Sequence, residues 1–162
     1  MPAWFLLLEP EPLPAAENMA RDEHLFTLCH EKKCGFLRLY AWEKPTFSIG
    51  VSQKAERALN IEFIRRHGCA YVRRVTGGKA VLHHREITYA IASSEDLFFK
   101  EHDLHQSYML ISRVLVQAIR WCKQVLEFAY TFLTTNGSLC TAINLHAVMQ
   151  AGLDSLKFSI NA

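Results

Sequence analysis

Arg73, Arg74, Lys79 and His83 set four cationic or imidazole side chains around one glycine pair, in the run Arg73-Arg74-Val75-Thr76-Gly77-Gly78-Lys79-Ala80-Val81-Leu82-His83. Glycine lets the backbone turn with positive φ and lets a ligand approach main-chain N–H groups. Successive N–H donors flanked by Arg and Lys form a concave anion site, so the chemistry on offer is recognition of a phosphate or a developing oxyanion. The plain alternative is a Gly-Gly hairpin with two exposed arginines. A P-loop is excluded, because that loop leads into a helix, whereas Lys79 is followed by Ala80-Val81-Leu82. The dinucleotide fingerprint also opens a helix and is excluded on the same ground. The expectation is a nucleotide held in a β-hairpin between Cys69-Ala70-Tyr71-Val72 and Ala80-Val81-Leu82.

These residues need a scaffold, and the pattern around them supplies one. Trp4 to Leu8 reads as an opening strand, and residues 15–31 as a helix with Ala16, Met19 and Ala20 early and Leu25, Phe26 and Cys29 later. Residues 36–42 and 46–53 are aromatic or β-branched and read as strands, with Pro45 at a turn or edge. Leu59, Phe63, Ile64 and His67 mark a short helix that Gly68 can terminate. Residues 104–123 form the clearest helix. Asp103 and Gln106 are spaced as a capping box, and Tyr108, Ile111, Leu115, Ile119 and Cys122 give one buried face. Residues 128–133 are a candidate strand. The elements are mixed and the turns imply antiparallel pairing. The predicted class is therefore α+β, a mixed, largely antiparallel sheet covered by helices.

Composition sets the outer limits. The 162 residues suit one domain with a real core, and no linker, repeat or low-complexity tract divides them. A net charge of +2 from 18 basic and 16 acidic residues gives no general field for nucleic acid, so any cationic function is local. Trp4-Phe5-Leu6-Leu7-Leu8 is too short an apolar run for a signal or a membrane span, so no membrane partner is expected. Five cysteines without a CxxC pair fit reduced thiols in a cytoplasmic protein. His83 and His84 are neighbours on a strand and face opposite sides, which makes them poor joint metal ligands; no metal site is expected.

The Arg-Arg-x-Thr-Gly-Gly-x-Ala-Val-x-His run, followed by the strand Ile87-Thr88-Tyr89-Ala90-Ile91, resembles the signature of the lipoate–protein ligase A and octanoyltransferase family. Asn18-Met19-Ala20-Arg21-Asp22-Glu23, Leu37-Arg38-Leu39-Tyr40-Ala41-Trp42 and Pro45-Thr46-Phe47-Ser48-Ile49-Gly50-Val51-Ser52-Gln53 resemble other parts of that family, in the same order. The resemblance implies a biotin/lipoyl protein ligase-like catalytic domain spanning residues 1–162, in partial form. It implies attachment of a lipoyl or octanoyl group to a lysine of a lipoyl carrier domain, through an acyl-adenylate or an acyl-thioester. The implied acyl substrate is lipoate or octanoate, with ATP and Mg in a ligase and acyl carrier protein as donor in a transferase. The implied carriers are glycine cleavage H protein or the E2 subunits of 2-oxoacid dehydrogenases.

The same resemblance assigns roles by position. Arg74 faces the nucleotide, and strand alternation then turns Arg73 to the opposite face, toward a carboxylate. Gly77, Gly78, Lys79 and Ala80 wrap the acyl-adenylate, with Val81, Leu82 and His83 completing the binding segment. Lys79 stands where relatives carry Gly or Arg, and Arg belongs mainly to the octanoyltransferase branch. Tyr40 and Trp42 line the acyl pocket, or are plain core. Ser155-Leu156-Lys157-Phe158 resembles the family's lysine motif with its glycines replaced, which makes Lys157 the candidate catalytic lysine. Cys140 corresponds to the cysteine segment and is the candidate nucleophile if the octanoyl branch applies; otherwise it is an inert thiol. The family's domain continues past the position of Ala162, so the alternative is a truncated, inactive paralogue that keeps only acyl or nucleotide binding, or the fold.

Overall fold

The computed structural model of the chain describes residues 3–98, 104–135 and 142–158. The fold divides into two units, 1–98 and 99–162, each with its own strands and helices.

In the first unit β1 (Trp4–Leu8) leads through α1 (Ala15–Lys32) to β2 (Gly35–Tyr40), and β1 and β2 pair in parallel. Next come β3 (Thr46–Ile49), the short α2 (Ala55–Ala58) and α3 (Ile61–Arg66), then β4 (Ala70–Arg73), which pairs in parallel with β3. β5 (Val81–His83) and β6 (Thr88–Ser93) follow, with α4 (Glu95–Phe98) closing the unit. Two three-stranded sheets result, ordered β1-β2-β6 and β4-β3-β5.

The apolar spacing of α1 explains its length. Asn18, Leu25 and Cys29 are its buried positions, seven and four residues apart and so on one helical face. Lys33 stops it in the left-handed conformation, its N–H returning to the Cys29 carbonyl. That face lies against β2, β4 and β6. The core there is Leu25, Cys29, Cys34 and Phe36, with Leu7, Leu28 and Ala92 packed around it. Burial pushes the Cys29 thiol up to about 11, so it stays a neutral apolar filler. Asn60 caps α3 by accepting from Phe63 N–H at 2.9 Å, and Gly68, at φ 63°, lets the chain leave it.

The second unit contains α5 (Leu104–Gln124), β7 (Phe132–Thr135), α6 (Ala142–Gln150) and β8 (Ser155–Phe158), with β7 and β8 parallel. Ile111, Leu115, Ile119 and Cys122 of α5 are half-buried, whereas Val114 and Trp121 are exposed. Asp103, the expected cap of α5, lies outside the described residues. The strand expected at 128–133 begins only at Phe132, because Phe128 N–H still returns to the Cys122 carbonyl and Asp154 holds the Thr131 N–H. Among the described residues no helix is long and apolar enough to cross a membrane.

The class is α+β with mixed sheets, as the sequence predicts, but parallel contacts are more frequent than the hairpin reading implied. Each parallel pair is joined by a helical crossover: α1 for β1/β2, α2 and α3 for β3/β4, and α6 for β7/β8. α2, α4, α6 and β8 have no counterpart among the elements read from the sequence.

Candidate functional site

The cationic run does not form a hairpin. β4 and β5 lie on opposite edges of β3, so residues 74–80 cross over the end of that strand instead of pairing across a turn. The crossover is seated by Arg74 N–H on the Ile49 carbonyl and by Val51 N–H on the Thr76 carbonyl. Gly50 ends β3, which is why the strand stops at Ile49 and does not run on to Gln53 as expected. A Cβ at Gly50 would stand 2.1 Å from the Gly78 carbonyl oxygen, so only glycine admits the crossover. Gly78 sits at φ 93°, a conformation open to glycine. The Gly77 and Gly78 N–H groups are exposed and find no acceptor among the described residues.

Arg74 folds back over this crossover. Its Nη1 donates to the Ser48 carbonyl (2.9 Å) and Ser48 Oγ (3.2 Å), and its Nη2 to the carbonyls of Gly77 (2.6 Å) and Lys79 (2.9 Å). Every one of these partners is a neutral dipole, and burial pulls the guanidinium below its ordinary value. Arg73 differs from its expected pairing with a carboxylate. Its Nη1 donates to the carbonyls of Gly50, Val51 and Gln53, pinning the turn after β3.

His83 is packed and bonded at both ring nitrogens. Nε2 lies 2.8 Å from Ser48 Oγ and Nδ1 lies 2.6 Å from Glu86 Oε1. The ring stacks on Trp42 with centroids 4.4 Å apart, and Trp42 Nε1 donates to Thr88 Oγ1, which donates to Glu86.

On the α1 side, Arg38 is wholly buried. Its Nε and Nη2 donate to Glu9, its Nη1 to Asp22 and the Asn18 carbonyl, and its Nη2 also to Asn18 Oδ1. The guanidinium carbon lies 4.0 Å from the centre of the Tyr40 ring, whose hydroxyl donates to Asp22. Burial pushes the Asp22 carboxyl up despite Arg38. At Glu9 burial is outweighed by the hydrogen bonds from Arg38 and Arg21, and the carboxyl sits below its usual range. Burial, then Asp22, pushes the Tyr40 phenol up, so Tyr40 remains a neutral donor.

A cavity of about 370 Å³ opens between these groups. That volume falls within the range of small-ligand pockets, roughly 300–1,000 Å³. Arg74, Ser48 and His83 give it polar wall, and Leu25, Phe26, Tyr40, Trp42, Val81 and Ile91 give it apolar wall. Of the residues singled out from sequence, the structure brings Tyr40, Trp42, Arg74, Val81 and His83 onto this one cavity. Gly77, Gly78, Lys79 and Ala80 form the crossover beside it, and Leu82 turns its side chain outward, half exposed. Lys157 lies on β8 of the second unit, in register with Thr134, and Cys140 lies outside the described residues. Among the described residues no group of three His, Cys, Asp or Glu side chains could hold a metal.

Sequence reasoning missed Ser48, Glu86, Asp22 and Thr88 as cavity or cavity-supporting groups. A signal existed for Ser48. Thr46 and Ser48 alternate as polar residues within a strand of otherwise buried type, and both are almost fully buried.

Comparison with known proteins agrees with this picture. The octanoyltransferase LipM of Oceanobacillus iheyensis is 43% identical over 115 residues, which cover 68% of this chain and 41% of that protein. The chain thus spans about two fifths of the length of such relatives. A lipoate-protein ligase A structure bound with ATP superposes with a TM-score of 0.60 at 22% identity, covering 89% of this chain and 54% of the other. Ta0514 of T. acidophilum, a lipoate protein ligase candidate solved with bound lipoic acid, gives 0.57 at 23% identity, covering 78% of this chain and 49% of the other. At those identities the two structures speak for the fold alone. The model of the lipoyl protein ligase A/B catalytic domain matches residues 14–131, which include every residue of the cavity and its crossover, and the chain belongs to that family.

Proposed function

We propose that this chain binds an octanoyl or lipoyl group and passes it to a lysine of a lipoyl carrier domain, with octanoyl transfer the better supported branch. The observation that carries the reading is Arg74. Its guanidinium lies on the wall of a largely apolar cavity, bonded to neutral oxygens, so its charge is open to an acyl oxyanion or an adenylate phosphate. The exposed Gly77 and Gly78 N–H groups add donors at the same end. Octanoyl transfer is favoured because a relative of that name is 43% identical, whereas the ligase structures share 22–23%. In this branch acyl carrier protein is the donor, and H protein or an E2 lipoyl domain is the acceptor. Lys157 neutralises the activated carboxyl, and Cys140 serves as acyl acceptor within one partial catalytic domain of the cytosol. In the ligase branch ATP with Mg activates lipoate as the adenylate.

The test is transfer by the full chain to a lipoyl domain, read as the carrier's mass gain. Octanoyl acyl carrier protein without ATP is expected to give an octanoylated carrier, and lipoate with ATP is the arm for a ligase. Absence of transfer in both arms, together with no thermal protection by octanoate or lipoate, rejects the reading. Thermal protection with no transfer in either arm would instead mark a protein that binds the acyl group without turning it over.

A further inference from the structure

We propose that Arg73 is a positioning residue for the anion-binding crossover: through the turn at residues 50–53 it sets the peptide plane that carries the Gly77 N–H, without touching the ligand. The proposal rests on the acyl-binding reading of the neighbouring cavity and adds a residue that the cavity does not contain. Arg73 is exposed and takes no part in the cavity wall.

In a trans peptide the carbonyl and the following N–H point to opposite sides, so whatever holds a carbonyl also aims the next N–H. Three carbonyls decide the crossover. The Thr76 carbonyl accepts from Val51 N–H at 2.9 Å, which aims the Gly77 N–H. The Gly77 carbonyl accepts from Arg74 Nη2 at 2.6 Å, which aims the Gly78 N–H. The Gly78 carbonyl rests against Gly50, where a Cβ would come within 2.1 Å of its oxygen. Arg74 therefore governs one of the two exposed donors, and the turn at 50–53 governs the other.

That turn is closed from within and fastened from outside. Gly50 N–H donates to Gln53 Oε1 at 2.9 Å, and Gln53 N–H donates to the Gly50 carbonyl at 3.0 Å. The carbonyls of Gly50, Val51 and Gln53 then converge on one nitrogen, Arg73 Nη1, at 3.0, 2.9 and 2.5 Å. Carbonyl dipoles aimed at one point repel each other unless a cation stands there, and Arg73 supplies it. Ile49 is in register with Arg73, so β4 delivers the guanidinium at the point where β3 ends.

Convergence on one nitrogen gives Arg73 a signature that sets it apart from Arg74. Nη1 brings two hydrogens to three acceptors, whereas a lysine ammonium brings three donors from a single nitrogen. Lysine is a poor replacement where a guanidinium bridges with two nitrogens. Arg74 is such a case, with Nη1 on Ser48 and Nη2 on Gly77 and Lys79. Arg73→Lys should therefore keep the turn fastened, although the side chain is one bond shorter, and Arg74→Lys should not hold the crossover.

The experiment follows the backbone amides of the full chain by isotope-edited NMR and titrates it with two probes, a non-hydrolysable octanoyl-AMP analogue and neutral octanamide. Arg73→Met is expected to speed exchange of the Val51 amide and to shift the Gly77 amide resonance. It should weaken the analogue about tenfold, the lower end for a hydrogen bond to a charged acceptor. Octanamide has no anionic head and should bind as before, whereas a merely structural role would move both probes together. Arg73→Lys should restore the Val51 and Gly77 amides and most of the analogue's affinity, while Arg74→Lys should bind the analogue as poorly as Arg74→Met. Gln53→Ala cuts the turn from inside, should act in the direction of Arg73→Met, and serves where that variant does not fold. An unchanged Val51 amide in Arg73→Met, unchanged analogue affinity despite faster exchange, or a parallel loss of octanamide overturns the proposal. So does failure of Arg73→Lys to restore the amides. A parent chain that binds neither probe sinks the acyl-binding reading; Arg73 is then judged by the amides alone, and their restoration in Arg73→Lys upholds its hold on the crossover.

Discussion

Arg38 and Arg74 are both drawn into the interior of the first unit, and the fold treats their charges in opposite ways. Arg38 spends all five N–H donors, two carboxylates answer its charge, and an aromatic ring covers it. Arg74 is satisfied in hydrogen bonds but not in charge, since its partners are carbonyls and one hydroxyl. A buried cation of the first kind fastens elements together, here α1 to β2 and the chain at Glu9. One of the second kind holds a loop in shape and keeps its positive charge uncompensated. The cavity lies between the two, with Asp22 and Tyr40 of the first network on one wall and Arg74 on another.

Substitutions can break this contrast or sharpen it. Arg38→Met strands Glu9 and Asp22 and should cost about 3–5 kcal/mol of stability in denaturant titration. Arg74→Met strips the donors from the crossover carbonyls and should cost less, about 1–3 kcal/mol, while weakening a non-hydrolysable octanoyl-AMP analogue ten- to a hundredfold by calorimetry. Equal losses of stability from the two changes would erase the distinction. Gly50→Ala drives a Cβ into the Gly78 carbonyl and should cost about 1–3 kcal/mol, with the analogue's affinity falling alongside.

Gly77 gives a finer instrument. A Cβ there meets nothing within 4 Å, so Gly77→Ala should change stability by less than about 0.5 kcal/mol. Any fall in analogue affinity then reports ligand approach to the crossover and nothing else. Gly78 would not serve, because its positive φ and its contact with Arg74 make substitution strained in the free protein.

The smallest effect belongs to a pair that joins neither network. Lys123, then the Thr131 N–H, hold the Asp154 carboxyl below its ordinary 3.8. A depressed carboxylate contributes its stability above the unfolded value and loses it as pH falls through the folded one. Asp154→Asn should lower stability slightly at neutral pH and converge with the parent protein in acid, which flattens the acid limb of a thermal stability profile. A steep loss at neutral pH would show that this contact closes the second unit more firmly than an exposed ion pair can.

Local pattern carried much of the scaffold. The spacing of Leu25 and Cys29 wrote α1, Phe63, Ile64 and Gly68 marked α3, and the aromatic and β-branched runs marked β2, β3 and β4 within a few residues. Helix faces, caps and strand alternation depend on neighbours within about one turn, which is why they are visible in a one-dimensional chain. The glycine run and its flanking arginines were visible as a loop between two strands for the same reason.

What the sequence could not carry was partner choice across long separations. Gly77-Gly78 looks like a hairpin turn until β3 inserts between β4 and β5, a decision made by which strand supplies the ladder on each side. The cost of burying Arg38 is cancelled by Asp22, Asn18 and Glu9, 16 to 29 positions away, and no local pattern announces those partners. Ser48 meets His83 across 35 positions, and nothing near either residue announces the other. The sequence by itself determined most of the longer elements and that a cation-flanked glycine loop sits among them. Only the tertiary structure decided which buried charge is neutralised and which is left open, because charge compensation and cavity shape are properties of residues brought together in space.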